Sequence, residues 1–265
     1  MTYDVRGLAW IRLSLLLAAA VGWALLWTHD GMVLMLTHES ATHAHAMPMS
    51  LEMVVAMHPP ASLAGGWALM LIAMMSPVLT LPVHHIRMRS FTHRRRRAIA
   101  LFVAGYAAVW FVVGGVFLAV VLAIAMLAPP PYLPAAVVLP VAAAWQCSPL
   151  KQRCLNRCHA HPSLGAFGAA ADMDVLRFGI THGLWCAGSC SALMLVPMLV
   201  PGGHLLAMGV VTALVFAERL ERPGPPRWRV RGFGKATRIV IAQTRLRVRA
   251  IGAVSVPHSS PARRA

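Results

Sequence analysis

Six apolar stretches, separated by segments into which every lysine and arginine is sorted, leave this chain few folds to choose from. The stretches run at about 8–27, 63–83, 99–127, 132–147, 178–200 and 203–217. About 20 mostly apolar residues in a helix cross the hydrocarbon core of a bilayer. The fourth and sixth stretches are short, and are expected to tilt or to be partly re-entrant. The first sits where a signal peptide would, but it lacks a clear small-x-small cleavage site. It ends in Trp23 and Trp27, which read as an interfacial aromatic anchor, so it is expected to be a retained span.

Charge placement tests this map. With loops numbered alternately inside and outside, all 24 Lys and Arg fall in the N-terminal segment, the loops after the second and fourth spans, and the tail. The outer segments 28–62, 128–131 and 201–202 hold none. This is the positive-inside bias, and it predicts six spans with both termini in the cytoplasm. A soluble domain carries roughly 25% charged residues, whereas this chain has 12% and a mean hydropathy of +0.65. The net charge of +16 is accounted for by basic loops beside anionic lipid, and the long charge-free runs argue against a nucleic-acid binder.

The sequence therefore predicts an all-α, polytopic helical membrane protein with about six transmembrane helices. Residues 1–27 form the first helix, 28–62 a His/Met-rich outer loop, 63–220 a core membrane domain, and 221–265 a basic cytoplasmic tail. The tail opens with Pro223, Pro225 and Pro226, then alternates Arg with apolar residues. It is too charged to span and is expected to be poorly ordered at the membrane surface.

Candidate metal ligands occur at every depth. The outer loop contains His38, His43, His45, Met47 and Met49, and imidazole and thioether donors suit copper, with imidazole also suiting zinc and nickel. The segments His43-Ala-His45 and Met47-Pro-Met49 are short enough to chelate from one extended stretch. On the inner side, "WQCSPLKQRCLNRCHAH" (145–161) carries Cys147, Cys154 and Cys158. Cys154 and Cys158 are four residues apart and share one helical face. Lys151, Arg153 and Arg157 surround them, and nearby cations lower a thiol pKa. The five cysteines form two Cys-x3-Cys pairs and one single, which is not the layout of a secreted disulfide scaffold.

Inside the fifth span, His182, Cys186, Cys190, Met194 and Met198 recur every four residues. Each step turns the helix by about 400°, so the series drifts by about 40° per step and no single metal could touch all five groups. It forms a ladder, with Cys190 near mid-membrane. Met70 and Met74 in the antiparallel second span are expected at matching depths, with Gly188 and Ser189 permitting close approach. Glu218, at the inner end of the sixth span, either supports this site or pairs with Arg219 or Arg222. Against all of this stands the ordinary use of Met and Cys as core residues.

The segments "LIAMMSPVLTLP" (71–82), "FVAGYAAVWFVVG" (102–114), "WQCSPLKQRCLNRC" (145–158), "THGLWCAGSCSALM" (181–194) and "VFAERL" (215–220), in this order, resemble the family of predicted metal-binding integral membrane proteins known as domain of unknown function 2182. The resemblance covers about residues 63–220. It implies a polytopic membrane protein in which Cys154, Cys158, His182, Cys186, Cys190 and Glu218 are the notable polar positions, and it implies no particular substrate. Two departures stand out: Ser189 takes the place of a cysteine adjacent to Cys190, and the Arg-rich stretch 228–251 replaces a further apolar span. With the charge bias, the resemblance places the chain in a bacterial inner membrane as a multi-pass protein.

Three functions fit the sequence. The first is a metal-binding membrane protein that captures, relays or transports a soft transition metal. Copper(I) is favoured because thiolate and thioether donors select it, with zinc or nickel as alternatives. His38, His43, His45, Met47 and Met49 would capture, Met194, Cys190 and Cys186 relay, and Cys154 and Cys158 receive, with His182, Glu218, Met70, Met74 and Cys147 in support. Its partners would be the bilayer and a metallochaperone or another membrane protein. The second is a membrane thiol-disulfide oxidoreductase, against which all five cysteines fall on or toward the reducing side. The third is a structural or assembly subunit in which sulfur is packing. An enzyme is the weaker expectation, and without a nucleotide-binding motif driven transport would need a partner or a gradient.

Overall fold

The computed structural model describes residues 5–28, 60–127, 130, 132–165, 167–200 and 202–230. The outer-loop candidates His38, His43, His45, Met47 and Met49, and the tail from residue 231 onward, lie outside the described residues.

Among the described residues every regular element is helical. Helix α1 spans Val5–Thr28, α2 spans Pro60–Met75, and α3 spans Thr80–Arg89 after a 3-10 turn over Ser76–Leu79. A second 3-10 turn, Thr92–Arg94, leads into α4, Arg95–Met126. Then follow α5, Leu133–Cys147; α6, Pro149–Cys158; α7, Gly168–Leu199; and α8, His204–Arg219. Four of these segments are long and apolar enough to cross a membrane: Gly7–Thr28, Pro60–Arg89, Thr92–Ile124 and Gly168–Leu199. The pair α5 and α6, bent by 65°, makes a fifth if it is one crossing. Helix α8 has 16 residues, about 24 Å of rise against a core of about 30 Å.

The breaks follow local chemistry. In α2–α3, Pro77 has no amide to continue the helical ladder, and the Ser76 hydroxyl donates back to the Ile72 carbonyl at 2.6 Å. Between α5 and α6, Ser148 adopts extended dihedrals and its Oγ accepts from the Lys151 amide at 3.1 Å. Pro149 occupies the first turn, where a missing amide costs nothing. The tetrapeptide Ser-Pro-Leu-Lys thus ends one helix and starts the next in a new direction.

Helix α7 begins at Gly168, well before the expected residue 178. Its Ala-rich first turns favour helix, and Asp172 pins them to the basic loop through ion pairs with Arg94 at 2.5 Å and Arg97 at 2.7 Å. Its main partner is α4, whereas α2 packs chiefly on α1. The second and fifth spans are therefore not each other's main partners, although their sulfurs share one core. Glycine decides it: a Cβ on Gly105 of α4 would lie 2.7 Å from the Leu176 carbonyl oxygen, and one on Gly179 of α7 would overlap the Phe102 carbonyl. Only bare backbone allows that approach.

The shared core holds Phe102 and Trp110 of α4, Met70, Met74 and Met75 of α2, Cys186, Cys190 and Met194 of α7, and Met208 of α8. The outer surface is apolar too: Leu16, Leu17 and Val21 of α1, Val112 and Val116 of α4, and Val137, Leu139 and Val141 of α5 are exposed. So broad an apolar surface is what a lipid solvent demands and far exceeds what a soluble monomer shows.

Candidate metal centre at the meeting of three helix segments

The bend at Ser148 aims α6 across the middle of α7, close to the last turn of α8. Helical spacing then does the local work. Lys151, Leu155 and Cys158 fall on the buried side of α6, with Cys154 half-buried beside them. Gly188 of α7 makes room for Cys154: a Cβ there would sit 2.9 Å from its sulfur. Trp145 locks the same level from α5, its indole N–H donating to the Gly188 carbonyl at 3.1 Å.

Cys186 and Cys190 lie one turn apart on the interior face of α7 and are essentially inaccessible, at 0% and 1% exposure. The Cys190 thiol donates to the Cys186 carbonyl at 3.0 Å and lies within hydrogen-bonding reach of the Cys186 thiol. The Tyr106 hydroxyl of α4 sits 3.4 Å from Cys186 Sγ. Arg219 closes the cluster. Its Nη2 donates to Cys186 Sγ at 3.1 Å and to Ser189 Oγ at 3.3 Å, and the Cys158 thiol lies near enough to feel its charge. Thiols from two helices are thus gathered round one cation.

A second polar group lies beside the first. Lys151 Nζ pairs with Glu218 Oε2 at 2.9 Å, both side chains being almost fully buried. The Gln146 amide spans them, donating to Glu218 while its oxygen accepts from Lys151. Opposite charges out of water are tolerated only when paired and hydrogen-bonded in this way. Of the two alternatives for Glu218, the ion pair with Arg219 or Arg222 is not formed: its partner is Lys151. Of the cations expected near Cys154 and Cys158, Lys151 is paired with Glu218 and Arg157 lies over the Trp185 ring at 5.7 Å. The cation in direct contact with a sulfur is Arg219, which spacing along α6 could not nominate.

His182, one turn before Cys186, is buried among Phe102, Tyr106 and Phe178, with ring centroids 5.8–6.1 Å away. Its Nε2 has no hydrogen-bond partner among the described residues. Toward the basic end, His159 is occupied by backbone, with Nδ1 at 2.8 Å from the Leu155 carbonyl and Nε2 at 3.3 Å from that of Arg219. His161, in the loop after α6, has its ring centroid 4.9 Å from that of His85, tilted by 57°. Burial, and then the neighbouring His85, lower its imidazole pKa below the usual histidine range.

Several sequence candidates therefore converge and others do not. Cys154, Cys158, Cys186 and Cys190 share one junction. Met70, Met74 and Met194 are sealed in the core that contains Cys186 and Cys190. Cys147 ends α5, its carbonyl accepting from the Arg229 amide at 3.1 Å, and its thiol makes no hydrogen bond to the other four. Sequence reasoning missed Tyr106 and Gln146, and named Arg219 and Lys151 without the partners they take. Tyr106 and Arg219 stood within the quoted segments "FVAGYAAVWFVVG" and "VFAERL", but nothing in either string says which helix each one faces.

The donor set can be tested against metals. Among the described residues no three His, Cys, Asp or Glu side chains are already arranged to hold an ion. Zinc structural sites close with four such ligands. Paired buried thiols, thioethers in the same core and one fixed cation suit a soft monovalent ion that accepts few ligands. The residues present fit copper(I) better than zinc or nickel.

No curated protein and no solved structure matches the chain. A family model described as PpoB2, copper chaperone, matches residues 64–241. That range begins in α2, includes all of α3–α8 and runs beyond the expected core boundary at residue 220.

Proposed function

This chain belongs to the PpoB2 family of copper chaperones, and we propose that it carries copper(I) within the membrane on thiols at the α6–α7–α8 junction. Cys186 and Cys190 hold the ion, and Cys158 and Cys154 exchange with them from α6. His182, one turn from Cys186 with an unpartnered nitrogen, takes or releases the ion on the side of His161 and His85. Copper is cargo here, and its passage needs only ligand exchange, with thiol protons leaving as the ion binds.

The wider path is part of the same reading. The chain crosses a bacterial inner membrane about six times with both termini in the cytoplasm, as the sorting of its basic residues suggests. His38, His43, His45, Met47 and Met49 capture copper outside. Met70, Met74 and Met194 conduct it past mid-membrane, and a copper-accepting protein docks at the inner end. The narrower likeness to the domain of unknown function 2182 family belongs to this reading also.

The observation that supports it is the Arg219 guanidinium at 3.1 Å from the buried Cys186 thiol, with Cys190 one turn on and Cys158 of α6 nearby. The test is copper(I) stoichiometry of the full chain purified in detergent, wild type against Cys186→Ser/Cys190→Ser and Cys154→Ser/Cys158→Ser. We expect stoichiometric copper in the wild type, none retained by the α7 double variant, and weakened retention in the α6 double variant. Equal, substoichiometric copper in all three would sink the reading.

A further inference from the structure

Arg219 presents a problem in charge. Its Nε is sealed from solvent and unpartnered, and its Nη2 reaches only a thiol and a hydroxyl. No described carboxylate pairs with it: Glu218, its neighbour in sequence, is held by Lys151 and Gln146, and Glu221 is held by Arg229 at 3.0 Å. A guanidinium does not lose its proton in a protein. The Lys151–Glu218 pair is neutral as a unit, so the junction keeps one fixed positive charge with no fixed counter-charge. The groups against it that can become anionic are the sulfurs of Cys158, Cys186 and Cys190, with the Tyr106 hydroxyl behind Cys186.

Ion binding at two thiols changes that balance in a way that depends on the ion. Two thiols lose two protons and no electron moves. With a monovalent cation the resulting complex carries one net negative charge, which the guanidinium cancels. With a divalent cation the complex is neutral, and the guanidinium stays uncompensated and repels the ion. With Cys186 and Cys190 essentially inaccessible to solvent, such a difference is screened far less than it would be in water. We propose that Arg219 is the built-in counter-ion of a two-thiolate complex at Cys186 and Cys190, and that its charge selects monovalent over divalent soft cations. This rests on the reading of the junction as a metal site. Arg219 is a positioning residue in it, acting through the sulfurs and never touching the metal.

The test compares copper(I) and cadmium(II), two thiophilic ions of different charge, on the full chain in detergent. Affinities are read by chelator competition and by thiolate-to-metal absorption. Arg219→Gln keeps hydrogen-bonding capacity and removes the charge, while Arg219→Lys keeps the charge. We expect the copper(I)-to-cadmium(II) affinity ratio to fall at least tenfold in R219Q, mainly through lost copper(I) affinity, and to recover largely in R219K. Ser189→Asp gives a second route should R219Q fail to fold, since it sets a carboxylate beside the guanidinium while leaving Arg219 in place; the same fall in ratio is expected. An unchanged ratio in R219Q, an R219K as defective as R219Q, or an S189D with the wild-type ratio would overturn the proposal. If the wild type itself binds no copper(I), the underlying metal-site reading fails instead, so the two failures are distinguishable.

Discussion

Helix α7 has two working faces, and they are built on opposite principles. Against α4 it presents Gly179 and Gly183, and the contact is mainly apolar and so close that backbone meets backbone, with the Tyr106 hydroxyl and His182 as its polar groups. Against α6 and α8 it presents Cys186, Ser189 and Cys190, and the contact is a cluster of sulfur, hydroxyl and buried charge. Between apolar helices long enough to cross a membrane, water would drive no association in lipid, so the first face depends on van der Waals fit and fails when fit is lost. The second gains from pairing and fails when one partner is removed. A rigid seam on one side lets the other side hold groups that would be intolerable on a mobile helix.

The comparison can be broken at four points, in order of decreasing effect on stability. Lys151→Met should destabilise most, by about 3–5 kcal/mol, because Glu218 is left buried and unpaired. Thermal unfolding followed by circular dichroism reads this, and K151M with Glu218→Leu should recover most of the loss. Gly179→Val should cost about 1–3 kcal/mol by forcing α4 and α7 apart at Phe102. Its copper retention should fall in step with its helicity, a link absent from the cysteine variants. Cys186→Ser/Cys190→Ser should cost only about 1 kcal/mol, because each new hydroxyl inherits a hydrogen-bond partner, Arg219 or the Cys186 carbonyl, yet abolish copper binding. A matched loss of melting temperature and copper would mean that both faces serve packing alone. His182→Phe should leave stability unchanged or slightly raised, because it removes an unpartnered buried nitrogen. Its expected signature is a slower exchange of bound copper(I) with an external chelator, measured by stopped flow. Exchange at the wild-type rate would remove His182 from the path.

Much of the fold was legible because helix position is a local property. The apolar stretches at 99–127, 132–147 and 203–217 correspond to α4, α5 and α8 with shifts of a few residues. The larger shift at α7, which starts at Gly168, arose because its first turns are polar on one side and held by Asp172 rather than by lipid. Within the site, the sharing of a face by Cys154 and Cys158, and by Cys186 and Cys190, was equally local and was readable from a spacing of four. Arg219 was misjudged for the opposite reason. It was counted with the basic tail, since a sequence weighs an arginine at a helix end as a solvated charge, and nothing in "VFAERL" says that α6 and α7 close over it.

The sequence by itself determined that this chain is helical, apolar on its outside, basic at one end, and provided with sulfur at several depths along α7. Each of these follows from residue type and spacing within one segment. Only the tertiary structure decided that α7 would seat on α4 rather than α2, that Glu218 would take Lys151, and that Arg219 would be left to face the thiols. Those choices depend on where two distant segments are bare enough to touch and on which opposite charges meet first out of water. Neither quantity is a property of any single stretch of residues.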